Sequence, residues 1–536
     1  PDEAPPHLLA KIDLRNAFNC VSRARVLESV WRHVPLLSRY FAAAYGAPTS
    51  LSFGEFVVAS AEGTQQGDPL APLGFALALH DFWIAHPRPD GVAFWAWFAD
   101  DGAVGGPPSV VAATLDTLAV HGPRWGLNLN WAKCEVICGS AETAAATLPQ
   151  VPTGLPWSAW SLLGQSVGDA AHRSGSASAC VARSSRRNAL FARLGTVDPH
   201  AAYLLLRLCG TFSLVVATCR AVGDDACWRN YDADCRGAVE SVVGAFPDLS
   251  WRQAVLPLRF GGLGFHEAEP HAAVAFIASA LTARRLVGHL AHLDLGEDPA
   301  LVAAVASPVL AHFPAACASV HGFMQDGVVT VRPQSVLSKL VVAVQHAAHA
   351  ALVAASGDPM VVARYAAVQQ PDASLWLSVP SSCGDALLLH PSEFNALCRF
   401  RFGLPLRDAP GTCPYCHVEG AVDVLGNHVL SCRNGGIRIR VHNTLRDTLA
   451  RLCSSALLEP QIEARPFPAA PSRRIDLALR LGFLGRTALI DVAVTHALKP
   501  QALAHLGTAA TAYEAVKVAE YGALVDPATQ FLVPLV

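Results

Sequence analysis

Four short apolar runs in this chain each end on or enclose an aspartate, and that pattern restricts the fold more than any other feature. Residues 8–14 read as a buried strand that delivers Asp13 near its end. Residues 93–105 read as two β-like runs around the pair Asp100-Asp101, a hairpin signal. Residues 474–479 and 488–494 read as two further buried strands, with Asp476 in the first and Asp491 in the second. A carboxylate in an apolar strand is costly unless it is paired or binds a metal. An open sheet can bring a strand end and a hairpin tip together, and three carboxylates gathered there repel unless a divalent cation neutralises them. Asp476 and Asp491 have fourteen residues between them, enough for a hairpin that sets them side by side.

The 536 residues predict about three to four domains. Hydrophobic residues make up 52% and charged residues 15%, which excludes disorder over most of the length. No apolar run reaches about 18 residues without a charge or turn former, so no membrane span is expected. With a net charge of −3 the chain is no basic coat for nucleic acid, so any such surface must be local. Residues 433–520 are the candidate, with twelve Lys and Arg against seven Asp and Glu. Five lysines stand against 35 arginines, which makes each lysine informative. The 15 cysteines and the absence of a signal peptide read as a reduced, intracellular protein. The start at Pro1 and the end inside the apolar run 531–536 read as a piece of a longer protein.

Along the chain, a helical stretch follows Asp13 to about Tyr45, and residues 69–86 and 109–121 carry helical spacing. Strand character returns over 126–138, and from about 186 to 400 the chain is mostly Ala/Leu/Val-rich helix. Cys413 and Cys416 are spaced Cys-x2-Cys, eleven residues precede His428, and Cys432 completes His-x3-Cys. Two such soft pairs can close a tetrahedral zinc site, structural because four protein ligands leave no open position. His417 and His442 are the substitutes should His428 not serve. Beyond the cluster, Val441, Leu445, Leu449 and Leu452 mark one apolar helix face, and a helix from about Pro500 to Tyr521 carries Lys517.

Asp13-Leu14-Arg15-Asn16-Ala17-Phe18-Asn19 resembles motif A of reverse transcriptases. Residues 63–72, with Gln66, Gly67, Asp68 and Pro69, resemble motif B, and Phe98-Ala99-Asp100-Asp101 resembles motif C. Gly126 to Asn130 followed by Lys133 resembles motif D, and Leu162-Leu163-Gly164 fits motif E. The resemblance covers about residues 8–170. It implies that Asp13, Asp100 and Asp101 hold two magnesium ions and that Phe18 lies under the sugar. It further implies that Gln66 and Gly67 pack against nucleotide and template, and that Lys133 lies near the triphosphate. Ala71 replaces the commoner serine and Phe98 the commoner tyrosine. Plainer readings are an ordinary Asp100-Asp101 turn, an N-cap at Asp13, a core Phe18 and a strand-edge Lys133.

The tail resembles PD-(D/E)xK nucleases, and in particular the restriction-like endonuclease that follows a zinc knuckle in early-branching non-LTR retrotransposons. That resemblance implies magnesium at Asp476 and Asp491 and a catalytic lysine displaced to the next helix. Ala493 fills the usual lysine position, Lys517 with Tyr521 offers the displaced one, and Lys499 is the fallback. Ile475 replaces the motif proline, Glu463 is a third carboxylate candidate, and the plainer reading pairs the two aspartates with Arg473 or Arg474.

The expected fold is α+β and multidomain. It comprises a right-hand polymerase palm (1–170, fingers missing), a helical thumb (171–270), an all-α linker (271–405), a zinc knuckle (406–436) and an α/β restriction-like nuclease (437–536, C-terminally truncated). The resemblance implies an RNA-directed DNA polymerase with a DNA-nicking endonuclease, acting by target-primed reverse transcription on an RNA template, a DNA target and deoxynucleoside triphosphates. Without fingers the piece itself is expected to polymerise poorly. An intracellular, nuclear setting follows from that function. The rival is a decayed element remnant that only binds nucleic acid; intact aspartates argue against it and missing fingers for it. A group II intron maturase is disfavoured because the tail lacks a His-Asn-His pattern.

Overall fold

The computed structural model describes residues 7–139, 148–151, 153–223, 225–291, 333–379, 389–432, 434, 436–480, 485–494 and 509–535. Two compact units divide the chain, Pro1–Ser176 and Ala177–Val536.

The first unit is built on strands β1 (Leu8–Ile12), β4 (Phe94–Phe98), β5 (Asp101–Gly106), β6 (Glu135–Cys138) and β7 (Thr153–Pro156), in the order β4-β5-β1-β6-β7. Strand alternation sends Leu8, Ala10 and Ile12 into the main core, against Val26 and Val30 of the Arg23–His33 helix and Phe75 and Phe82 of the Ala71–Ala85 helix. The opposite face carries Leu9, Ala103 and Ile137 and is partly covered by Trp160 and Leu162. Those two belong to a hairpin of β8 (Ala159–Leu162) and β9 (Gln165–Gly168), whose turn holds Leu163 and Gly164 at positive φ. The strand character of 126–138 narrows to β6, preceded by an isolated bridge between Leu14 and Leu129. Residues 49–60, to which the sequence patterns assign no element, form a hairpin of β2 (Thr49–Phe53) and β3 (Phe56–Ser60), with Phe53, Phe56, Val57 and Val58 exposed.

The second unit begins as a helical body. One core joins Tyr203, Leu206, Val239, Val243, Leu263 and Phe265 to Leu377, Phe394, Cys398, Phe402 and Leu404. A second packs Val274, Ile277 and Leu281 of the Ala268–Ala291 helix on Leu337 and Val341 of the Pro333–Ala355 helix. By length and composition two helical stretches, Pro199–Val222 and Gln334–Ala355, are apolar enough to cross a membrane, which the run-length argument did not anticipate. Both feed side chains into these cores, as Tyr203, Leu206 and Val341 show.

Arg401 stitches the first of those cores together. Its buried guanidinium donates to the Gly261, Gly262 and Ala373 carbonyls and, at 2.6 Å, to Ser374 Oγ. Burial lowers its pKa to about 10, leaving it charged at neutral pH. Arg401→Leu strands buried acceptors that cost about 1–3 kcal/mol each when unpaired. The expected result in urea unfolding is a loss of about 3 kcal/mol, and a shift below about 0.5 kcal/mol, typical of inert surface sites, would contradict the stitching role.

The C-terminal part carries a four-stranded sheet, β10 (Pro460–Ala464), β11 (Ile475–Leu479), β12 (Thr487–Val492) and β13 (Gln530–Leu535) in that order. β10, β11 and β12 run antiparallel and β13 joins β12 in parallel. The Ile437–Ser455 helix covers one face through Ala450 and Cys453, and Tyr521 of the Ala509–Tyr521 helix covers the other with Phe467. The helix face expected to be buried is corrected here. Val441, Leu445 and Leu452 are exposed; of that face Leu449 packs on the sheet core, beside the slimmer Ala450 and Cys453. Of the helix expected from about Pro500, the part before Ala509 lies outside the described residues, as does Lys499.

Candidate active sites and a candidate metal centre

Antiparallel pairing of Ile12 with Gly102 and of Phe98 with Asp101 carries Asp13 to the tip of the β4–β5 hairpin, where Asp100 and Asp101 sit. The two-residue turn needs a left-handed residue, and Ala99 supplies it at φ 54°. Burial raises the Asp101 pKa, and the nearby charges of Asp100 and Asp13 raise it further, opposed by Lys11. A carboxyl crowded by two others is a donor set of hard oxygens, which suits a divalent ion such as magnesium. Asp13, Asp101 and the exposed Lys133 line one cleft of about 410 Å³, with Lys11 and Glu135, an ion pair across β1 and β6. The Asn130 N–H donates to Asp13 O and the Arg15 N–H to Asn128 O, so the segment before Lys133 is tied to the segment of Asp13.

Phe18 packs on Phe75 with ring centroids 4.7 Å apart, half-buried at the edge of the core. The Thr64 N–H donates to Phe18 O at 2.6 Å. Gly63 lies so close to Asn19 that an added Cβ would meet its backbone at 2.3 Å, which together with φ 66° demands glycine there. Gln66 and Gly67 are exposed on the loop that follows. Burial opposes a low pKa at Asp68, yet hydrogen bonds from Tyr45, Leu70 and Tyr40 hold it below the usual carboxylate range. Sequence spacing gave no signal for Arg23, whose buried guanidinium donates to Gly63 O at 2.8 Å and Ser60 O at 2.7 Å and so fixes that loop.

Cys413, Cys416, His428 and Cys432 converge, with one ligand atom from each lying within 4.8 Å of the others. Cys413 Sγ is 3.8 Å from Cys432 Sγ, and Cys416 Sγ is 3.4 Å from His428 Nε2. Asp423 builds the turn that presents His428 by accepting the Leu425 and His428 N–H groups. Three thiols and an imidazole at this spacing suit a soft, tetrahedral ion. His417 and His442 are not part of the group.

One residue beyond the paired positions Leu477 and Ile490 come Asp476 and Asp491, on neighbouring strands. Lys517 Nζ reaches to 3.1 Å from Asp491 Oδ2. Among the described residues that lysine is the charged partner of this buried oxygen. Burial raises the Asp491 pKa, partly offset by Lys517. Burial works against a charged Lys517, but Asp491 outweighs it and raises the lysine pKa. A buried carboxylate oxygen with bonding capacity left over, beside a second aspartate, suits a small divalent cation. Arg473 pairs with Glu520 and Arg474 with Glu463, so neither arginine neutralises the two aspartates. Glu463 is held by Arg446 as well. Asp476, Asp491, Lys517, Glu463 and His442 line one cleft of about 720 Å³.

Carboxylates at a strand end and a hairpin tip, with a lysine lining the same cleft, form a donor set of the kind that metal-assisted phosphoryl transfer uses. Residues 2–167 match the family model described as reverse transcriptase (RNA-dependent DNA polymerase). This part of the chain is a reverse transcriptase domain, and the match supports RNA-directed DNA polymerase activity, with the RNA template, deoxynucleoside triphosphates and divalent metal that the family uses. No curated protein matches the chain.

Proposed function

We propose that the chain is part of a non-LTR retrotransposon protein of the restriction-like endonuclease group, acting by target-primed reverse transcription. The nuclease nicks a DNA target, and the palm extends the freed 3′-hydroxyl along an RNA template. The observation that carries this reading is the second pair of aspartates with a lysine beside it, following a Cys3His cluster in a chain that opens with a reverse transcriptase domain. The proposed organisation is palm over 1–170, thumb over 171–270, helical linker over 271–405, zinc knuckle over 406–436 and nuclease over 437–536, with a nuclear site of action.

Asp13, Asp100 and Asp101 hold the polymerase metals, Phe18 excludes a 2′-hydroxyl, Gln66 and Gly67 back the nucleotide and template, and Lys133 faces the triphosphate. Asp476 and Asp491 hold the nuclease metal, and Lys517 polarises the scissile phosphate or its water. Bound magnesium neutralises charge on the attacking and leaving oxygens in both sites. Cys413, Cys416, His428 and Cys432 hold a structural zinc.

Nicking of supercoiled plasmid tests the reading. Asp491→Asn is expected to slow nicking by about 10²–10³-fold, the scale of one lost electrostatic group, with extension of a supplied primer unchanged. Equal nicking by parent and variant sinks the nuclease assignment.

A further inference from the structure

His442 makes a contact for which the reading above has no role. It lies on the Ile437–Ser455 helix, on the face of the sheet opposite the Ala509–Tyr521 helix that brings Lys517. Its Nε2 is 3.1 Å from Asp476 Oδ2, and the same oxygen accepts the Val492 N–H at 2.7 Å. The other ring nitrogen, Nδ1, is 3.2 Å from Asn443 Oδ1, so the imidazole is held at both ends. Asp476 Oδ1 takes no hydrogen bond from a described residue.

The two aspartates are therefore supported differently. Asp491 is buried in the sheet with Lys517 Nζ 3.1 Å from its Oδ2. Asp476 is the second residue of β11, only half-buried at the open end of the sheet, with the cleft in front of it. A carboxylate in that position rotates about its side-chain bonds unless something fixes one oxygen. Here one oxygen is fixed from two directions, by the backbone of β12 and by the ring.

We infer that His442 is a positioning residue for the second site. By locking Asp476 Oδ2 it presents Oδ1, paired with the Asp491 carboxylate, to a divalent cation. The inference rests on the nuclease reading. It assigns the histidine to the acidic cleft and not to the Cys3His cluster ten residues earlier in the chain. Partners that orient a ligand in this way typically contribute about 10–100-fold to metal affinity.

Manganese binding followed by electron paramagnetic resonance tests it, in the full chain carrying Asp13→Asn, Asp100→Asn and Asp101→Asn so that the first site adds no signal. His442→Ala is expected to weaken manganese binding by about 10–100-fold. In otherwise unaltered protein it should raise the magnesium needed for half-maximal nicking by the same factor, with the rate at saturating metal within about threefold of the parent. His442→Gln keeps a donor within reach of Oδ2 and should restore most of the affinity; circular dichroism confirms that both variants fold. Parent-like manganese binding in a folded His442→Ala protein overturns the inference, as does failure of His442→Gln to recover affinity. If Asp476→Ala and Asp491→Ala also bind manganese like the parent and the parent does not nick DNA, the nuclease reading itself fails and takes the inference with it.

Discussion

Asp101→Asn is expected to reduce primer extension by about 10³-fold or more while leaving the fold intact or slightly more stable. The charge lost is one that the proposed metals need, and single electrostatic groups in such sites are worth about 10²–10³-fold; loss of a metal ligand adds to that. The stability half of the expectation comes from the raised Asp101 pKa, caused by burial and by Asp100 and Asp13. A carboxyl that titrates higher in the folded chain than in the unfolded one favours the fold below its unfolded pKa. That contribution is lost as pH rises through the folded pKa. At neutral pH the ionised group is therefore a burden, and the amide removes it without changing size. Single-turnover extension in magnesium and thermal melting at pH 7 measure the two halves. Parent-like extension sinks the role given to Asp101, and a lowered melting temperature sinks the account of its crowding.

The second large effect is expected at the Cys3His cluster. Its buried apolar support is little more than Cys413, Val422 and Cys432, with Tyr415, Ala421 and Val429 packed alongside. So small a core does not hold a fold by itself. Structural zinc contributes about 10–16 kcal/mol in comparable peptides, so on the proposed reading the segment is expected to be ordered only with metal bound. Elemental analysis should find one zinc per chain, and Cys416→Ser should abolish it. Amide exchange over residues 411–432 should then rise to the level of an unfolded chain. Cys432 also lines the cleft of Asp476 and Asp491, so the same substitution should lower nicking. Slow exchange in metal-free, reduced protein would refute the structural role.

The aspartates were legible because each interrupts or ends an apolar run, and a two-period pattern fixes which residues can meet. The Cys3His spacing was legible because thiols are sparse around it. His442 was not, and its helix shows why. Hydrophobic periodicity selects Val441, Leu445, Leu449 and Leu452, yet of these only Leu449 meets the sheet, and the contacting stripe otherwise runs through His442, Arg446, Ala450 and Cys453. Two of those four are polar because the stripe ends in a site, so the pattern of greasy residues points away from it. Glu463 was legible only as a third-carboxylate candidate, because β10 is short and half-exposed, with no buried run to mark it as a strand. The β2–β3 hairpin has no buried apolar face to mark it: nearly every residue of both strands is exposed.

The helical core that joins Leu263 and Phe265 to Leu377 and Leu404 also sets a schedule for synthesis. The core beneath Asp13 and Asp101 draws on residues 8–151 and is complete once those have left the ribosome. The later core must wait for partners roughly 110 residues further on, which at about 5–20 residues per second is on the order of ten seconds. During that interval Tyr203, Leu206 and Phe265 have no Phe394 to meet. A nascent chain stalled near residue 270 should therefore bind a chaperone that recognises apolar segments, and one released after residue 404 should not.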